Sequence, residues 1–192
     1  SGKVKNGKQT YDLLCKRVPN KRTLSREESL AELALRYFTS HGPATIEDFV
    51  WWSGLGITDA RKGLEHVKSG FISETIESKT YWFSESSSKI KSPKSSVHLL
   101  PAFDEFLISY RDRQASLSIV NNTKAVSNNG IFHPIMVVNG QVVGTWKRTL
   151  KKEKVMVSTT FFQPPNTTTQ RLIEAEANKF GQFLNKKTEV FF

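Results

Sequence analysis

The 192-residue sequence predicts an α+β fold: a winged helix-turn-helix followed by a small antiparallel β-barrel or curled sheet with a C-terminal helix. Three observations predict it. Between Leu35 and Phe83 the pattern reads helix, helix, Gly-containing turn, helix and hairpin. Between His133 and Phe161 β-prone runs follow one another across short turns, which leave no room for the helical crossovers of a parallel sheet. From Thr168 to Asn185 apolar residues return at helical spacing.

Residues 1–24 form a basic lead-in whose apolar run, Tyr11, Leu13, Leu14 and Val18, is closed by Pro19 and is expected to pack as an extended strap. The winged-helix domain is placed at residues 25–83. Ser25 with Glu28 three residues later is a capping box, and Leu30, Leu33, Ala34, Tyr37 and Phe38 repeat at helical spacing until His41-Gly42-Pro43 stops the helix. Thr45 caps a second, short helix through Ile46, Phe49 and Trp52, and Ser53 to Gly56 supplies the tight break after it. A third helix begins near Thr58, with Ala60, Leu64 and Val67 inward and Arg61, Lys62 and Glu65 toward solvent, the two-sided build of a recognition helix. Phe71, Ile72, Thr75 and Ile76, a polar tip at Glu77-Ser78-Lys79, and the run from Thr80 to Phe83 make a candidate wing.

Residues 84–96 are rich in Ser and Lys and nearly free of apolar side chains, the composition of a linker. The β-barrel with its helix is placed at residues 97–192. Val97 to Leu100 and Phe106 to Tyr110 are β-prone, and Leu117 to Val120 predicts another extended segment. His133 to Val138 and Gln141 to Trp146 form a hairpin across Asn139-Gly140, a pair that accepts the positive φ angles of a type I′ turn. Val155 to Phe161 follows a Lys-rich turn as a third strand, and Pro164-Pro165 ends the sheet. In the last helix Ile173, Ala177, Phe180 and Leu184 form one apolar stripe that is expected to dock on the sheet.

A net charge of +10 favours a polyanionic partner, since neutralised phosphates release counterions. The charge is uneven. Residues 1–26 carry eight Lys/Arg against one acid, whereas residues 27–83 carry five against nine, with Glu27, Glu28 and Glu32 on the first helix. A second basic cluster, Lys147, Arg148, Lys151, Lys152 and Lys154, lies far downstream. No run approaches the roughly 18 apolar residues that span a bilayer, and the polar N-terminus lacks an apolar signal core, so neither a membrane nor secretion is predicted. The single cysteine, Cys15, excludes an internal disulfide framework and fits a cytoplasmic location. His41, His66, His98 and His133 are scattered without metal-ligand spacing, and no P-loop, GxGxxG or GxSxG occurs, so no metal or cofactor is predicted.

The candidate contact residues follow from this organisation. Thr58, Arg61 and Lys62 are positioned on the recognition helix to reach phosphates or base edges, with Lys79 and Tyr81 on the wing; the ordinary alternative is a solvated face. Lys147, Arg148, Lys151 and Lys152 surround one hairpin end and would neutralise several phosphates, with solubility charge as the rival reading. Asp104 and Glu105, followed by Arg111, Asp112 and Arg113, are the one acid cluster placed like a site. A salt-bridge role, with Asp104 or Asp112 holding Arg111 or Arg113, is preferred there over a general base. Of Trp51 and Trp52, one is expected in the core and the other at a packing or stacking interface.

Four ordered blocks, GKQTYDLL (7–14), LRYFTSHGPATIEDFVWWSGLGITDARKGLE (35–65), LLPAFDEFLISYRDR (99–113) and FHPIMVVNGQVVGTWKR (132–148), resemble the AlkZ-like (YcaQ-related) winged-helix DNA-binding family. That family includes bacterial DNA glycosylases acting on alkylated and crosslinked DNA. The resemblance implies tandem winged helices followed by a C-terminal β-barrel, this chain matching the last winged helix and the barrel. It implies double-stranded DNA, damaged or not, as one partner and a missing N-terminal half of the same protein as another. Glycosylase members carry two glutamines separated by one residue in that half. Here Gln9, Gln114, Gln141, Gln163, Gln170 and Gln182 include no such pair. No catalytic residue is therefore carried over, and the chain by itself is expected to be inactive while the enzymatic status of a longer parent stays open. Two other readings stand beside this DNA-repair module: a non-enzymatic transcriptional regulator, and a protein-interaction scaffold favoured by the net-negative helical segment.

Overall fold

The computed structural model describes residues 2–19, 22–88 and 95–192, which form a helix-and-hairpin unit and a sheet unit. In the lead-in, Asn6 and Gly7 take positive φ in a turn that pairs Lys5 with Lys8, and one helical turn follows as α1 (Leu14–Arg17). Tyr11 is 95% exposed, and Leu13 and Leu14 are also exposed, so this run does not pack as the expected strap.

Three helices make the first core: α2 (Arg26–His41), α3 (Ile46–Ser53) and α4 (Ile57–Val67). Capping boxes set two of their starts, Ser25 exchanging hydrogen bonds with Glu28 and Thr45 with Asp48. Gly54 ends α3 at φ +71. Gly63 lets α4 approach α2 so closely that a Cβ there would stand 2.6 Å from the Leu30 carbonyl oxygen. Ala34, Tyr37, Phe38, Ala44, Phe49, Ala60 and Leu64 fill the space between the helices. The hairpin of β1 (Ile72–Ile76) and β2 (Lys79–Phe83) joins this core through an exchange of backbone hydrogen bonds between Trp82 and Ala44. Glu77 and Ser78, both at positive φ, make the turn, so Lys79 opens β2 instead of standing at the tip.

One turn of helix, α5 (Glu85–Ser88), follows the hairpin, and residues 89–94 of the expected linker lie outside the described residues. The second unit is a curled five-stranded sheet ordered β3 (Val97–Leu100), β4 (Ile135–Val138), β5 (Gln141–Leu150), β6 (Lys154–Phe161) and β7 (Lys187–Phe191). Asn139 and Gly140 turn β4 into β5 at φ 49° and 79°, as the Asn-Gly pair predicts. Between the strands lie α6 (Glu105–Ile108), α7 (Asn122–Ala125) and α8 (Thr167–Phe183).

Three features depart from the sequence reading. Phe106 to Tyr110 is not a strand: Asp104 caps α6, accepting from Phe106 N at 2.9 Å, and the apolar run packs between the two units. Leu117 to Val120 is not extended either, because Leu117 is buried and a 3₁₀ turn begins at Ile119. The sheet is not wholly antiparallel, since α8 serves as the crossover that brings β7 parallel to β6. Of the two expected forms, barrel or curled sheet, it takes the curled one: β3 and β7 are its edges, and α8 packs across them.

The alternation of β4 and β5 separates two cores. Met136, Trp146, Val155 and Val157 pack against Ile173 and Ala177 of α8. On the opposite face Ile135, Val137 and Val142 pack against Leu107, Leu117, Ala125 and Phe132 of the segment that precedes β4.

Candidate functional site

The outer face of α4 carries Thr58, Arg61 and Lys62, all exposed. Its acids are compensated locally: Asp59 pairs with Arg26 at 2.6 Å and Glu65 with Lys68 at 2.7 Å. Glu28 is committed to its cap, where the Ser25 amide holds its carboxyl below the usual range, and Glu32 pairs with Arg36 at 2.7 Å. Arg61 and Lys62 have no acidic partner among the described residues, so the face is more basic than the composition of residues 27–83 indicates. Arg26 was not separable by sequence, because its partner lies 33 positions away.

The hairpin is differently placed. Lys79 donates to Asp112 at 2.6 Å, which raises the lysine and, with the Gln114 amide, lowers the aspartate. Tyr81 is half-buried opposite Glu74. This contact belongs to a seam that ties the hairpin and α3 to residues 104–114.

Asp48 is its buried centre, accepting from Thr45 N at 2.9 Å, Thr45 Oγ1 at 2.7 Å and Arg111 N at 2.8 Å. Glu105 accepts from Trp52 Nε1 at 3.1 Å and from Ser109 Oγ, with His41 Nε2 at 3.4 Å; the Ser109 bond is the main cause of its lowered pKa. Tyr110 donates to the His41 carbonyl at 2.7 Å, and burial pushes its phenol up to about 12. Trp51 Nε1 donates to the Ile108 carbonyl at 2.8 Å, so both tryptophans serve the seam.

The expected pairing of the acid cluster is therefore corrected. Asp104 caps α6, Asp112 holds Lys79, and Arg113 donates from Nε to the Leu107 carbonyl at 2.7 Å while its guanidinium lies between Trp51 and Phe132. Each of these carboxylates accepts from fixed donors, an arrangement that holds the two units together. An open cleft of about 790 Å³ flanks the seam, lined by Arg61, Trp82 and Arg111 among others. Among the described residues no group of three His, Cys, Asp or Glu is placed to hold a metal ion.

Strand alternation divides the downstream basic cluster. Arg148, opposite Val157, faces α8 and lies 5.8 Å from the Phe180 ring centre, whereas Lys147, opposite Ser158, is exposed on the other face. Lys151 and Lys152 occupy the turn, where their carbonyls accept from Lys186 Nζ at 2.9 and 2.5 Å. Lys154 is engaged with Glu189 at 2.8 Å. Lys186 thus adds a cation at this turn that no sequence signal placed there.

Fold and site define an α+β protein in which a basic helix face and a basic strand end are held in fixed relation by a polar seam. The chain belongs to the AlkZ-like DNA glycosylase family, whose model matches residues 1–183. A curated relative from Streptomyces sahachiroi, an interstrand DNA cross-link repair glycosylase, is 27% identical over 128 residues, covering 63% of this chain and 34% of the relative. The solved structure of the Streptomyces sahachiroi DNA glycosylase AlkZ matches with a TM-score of 0.70 at 18% identity, over 88% of this chain and 47% of that one. The chain thus spans less than half the length of either protein.

Proposed function

We propose that this chain is the DNA-holding part of a bacterial, cytoplasmic AlkZ-like repair protein. In this reading α2–α4 with the β1–β2 hairpin are a winged helix, and the curled sheet is the barrel-like partner beside it. Arg61 and Lys62, with Thr58, grip phosphates of duplex DNA, and Lys147, Lys151 and Lys152 take a second stretch of backbone, Arg148 being turned toward α8. Lys79 is left out of that set because its ammonium is engaged by Asp112, and Tyr81 contributes from the hairpin. The observation that carries the reading is the local pairing of Asp59 and Glu65, which leaves Arg61 and Lys62 as the uncompensated charges of α4. Base release is assigned to a part of the protein outside this chain, since the paired-glutamine motif is not in it.

The test is fluorescence anisotropy with an undamaged duplex at low and physiological salt. Affinity is expected to fall steeply with salt, and the salt slope to shrink by roughly one for each phosphate contact removed in R61E/K62E or in K147E/K151E/K152E. No binding even at low salt would favour a protein-interaction scaffold.

A further inference from the structure

Along the seam, three anomalies meet at one place. Trp51 is 50% exposed although its ring is fixed through Nε1, and Phe103 is 50% exposed at φ +57, a left-handed conformation that bulky residues rarely adopt. Between them the Arg113 guanidinium carbon lies 5.3 Å from the Trp51 ring centre and 5.0 Å from that of Phe132, and Phe132 is 6.1 Å from Phe103. Arg113 Nη2 is buried without a hydrogen-bond partner among the described residues. The result is a ladder, Trp51, Arg113, Phe132, Phe103, that crosses the seam and leaves aromatic surface open at both ends.

We propose that this ladder is a stacking site for unpaired nucleobases of DNA, an inference that rests on the DNA-holding reading above. An arginine inside an aromatic stack is poorly matched to an apolar protein partner, which would bury its charge without compensation. A nucleobase stacks on exposed indole and phenyl planes alike and brings a phosphate that the charge of +10 attracts. A base held inside a duplex offers no free face. The ladder therefore adds a preference for bulged or opened DNA to the sequence-indifferent grip on phosphates.

The experiment compares two otherwise identical oligonucleotide duplexes, one with a central two-nucleotide bulge, by anisotropy against wild type, W51A, F103A and W51F, each checked by thermal melting. The wild-type chain is expected to bind the bulged duplex about tenfold tighter than the paired one. W51A and F103A should lose most of that preference while paired-duplex affinity stays within about twofold. W51F keeps a ring but loses the Nε1 bond to Ile108, and should retain the preference. Equal affinity of wild type for both duplexes overturns the proposal, as does a preference that survives in W51A and F103A, or one lost equally in W51F and W51A. If W51A fails to fold, F103A decides. Binding of the bulged duplex alone overturns the duplex-holding reading and leaves the stack standing; binding of neither overturns both. A dimer dissolved by W51A, with no bulge preference, would assign the ladder to a second copy and overturn the proposal.

Discussion

Asp48 serves two elements at once: its carboxylate closes the capping box of α3 and takes the Arg111 amide from the other unit. Replacing it by alanine strands several buried donors, and D48A is expected to cost about 3 kcal/mol, measured by urea denaturation. Glu105 and Asp112 act nearer the surface, both held below the ordinary carboxylate range by fixed donors. Their contribution is complete above the unfolded carboxylate values of about 4 and is lost as pH falls through their depressed folded values. The melting-temperature gap between wild type and E105Q/D112N should thus be constant from about pH 5 to about pH 8 and close below about pH 4. Lys79 has the opposite sign: its raised value makes its contribution present below the unfolded lysine pKa and lost as pH rises through the folded one.

At the scale of elements, the crossing of α2 and α4 depends on the missing side chain of Gly63, since the nearest obstacle to a Cβ is backbone, the Leu30 carbonyl, with the Ala34 methyl behind it. G63A must push the helices apart and is expected to destabilise the chain by about 1–3 kcal/mol, although alanine is the better helix former in isolation. The sheet shows a comparable override. Phe106 to Ile108 have strand-prone side chains, yet the Asp104 cap and burial between the units make them helical.

For the whole molecule, the seam predicts that the two units unfold together. Hydrogen bonds from Tyr37 to the Ser109 carbonyl, Tyr110 to the His41 carbonyl and Trp51 to the Ile108 carbonyl all span the boundary. Calorimetry should give one transition whose calorimetric and van't Hoff enthalpies agree. Fixing the units in this way also fixes the separation of the α4 face from the β5–β6 turn, so the charge variants on the two surfaces should weaken duplex binding additively in free energy.

The sequence by itself determined the local architecture: the capping residues Ser25 and Thr45, the Asn139-Gly140 turn and the stripe on the last helix are short-range signals read within a few positions. The exposed positions of Arg61 and Lys62 were legible for the same reason, as helix periodicity separates inward from outward faces. Only the tertiary structure decided which charges are available. Lys79 is removed by Asp112, Asp59 is masked by Arg26 and the Lys151–Lys152 turn is joined by Lys186, across separations of 33, 33 and about 35 residues. It likewise decided that β7 pairs parallel with β6 and that Arg113 lies between Trp51 and Phe132. Propensity and periodicity act over one or two turns of chain, whereas ion pairing and stacking depend on distances that exist only after the cores have packed.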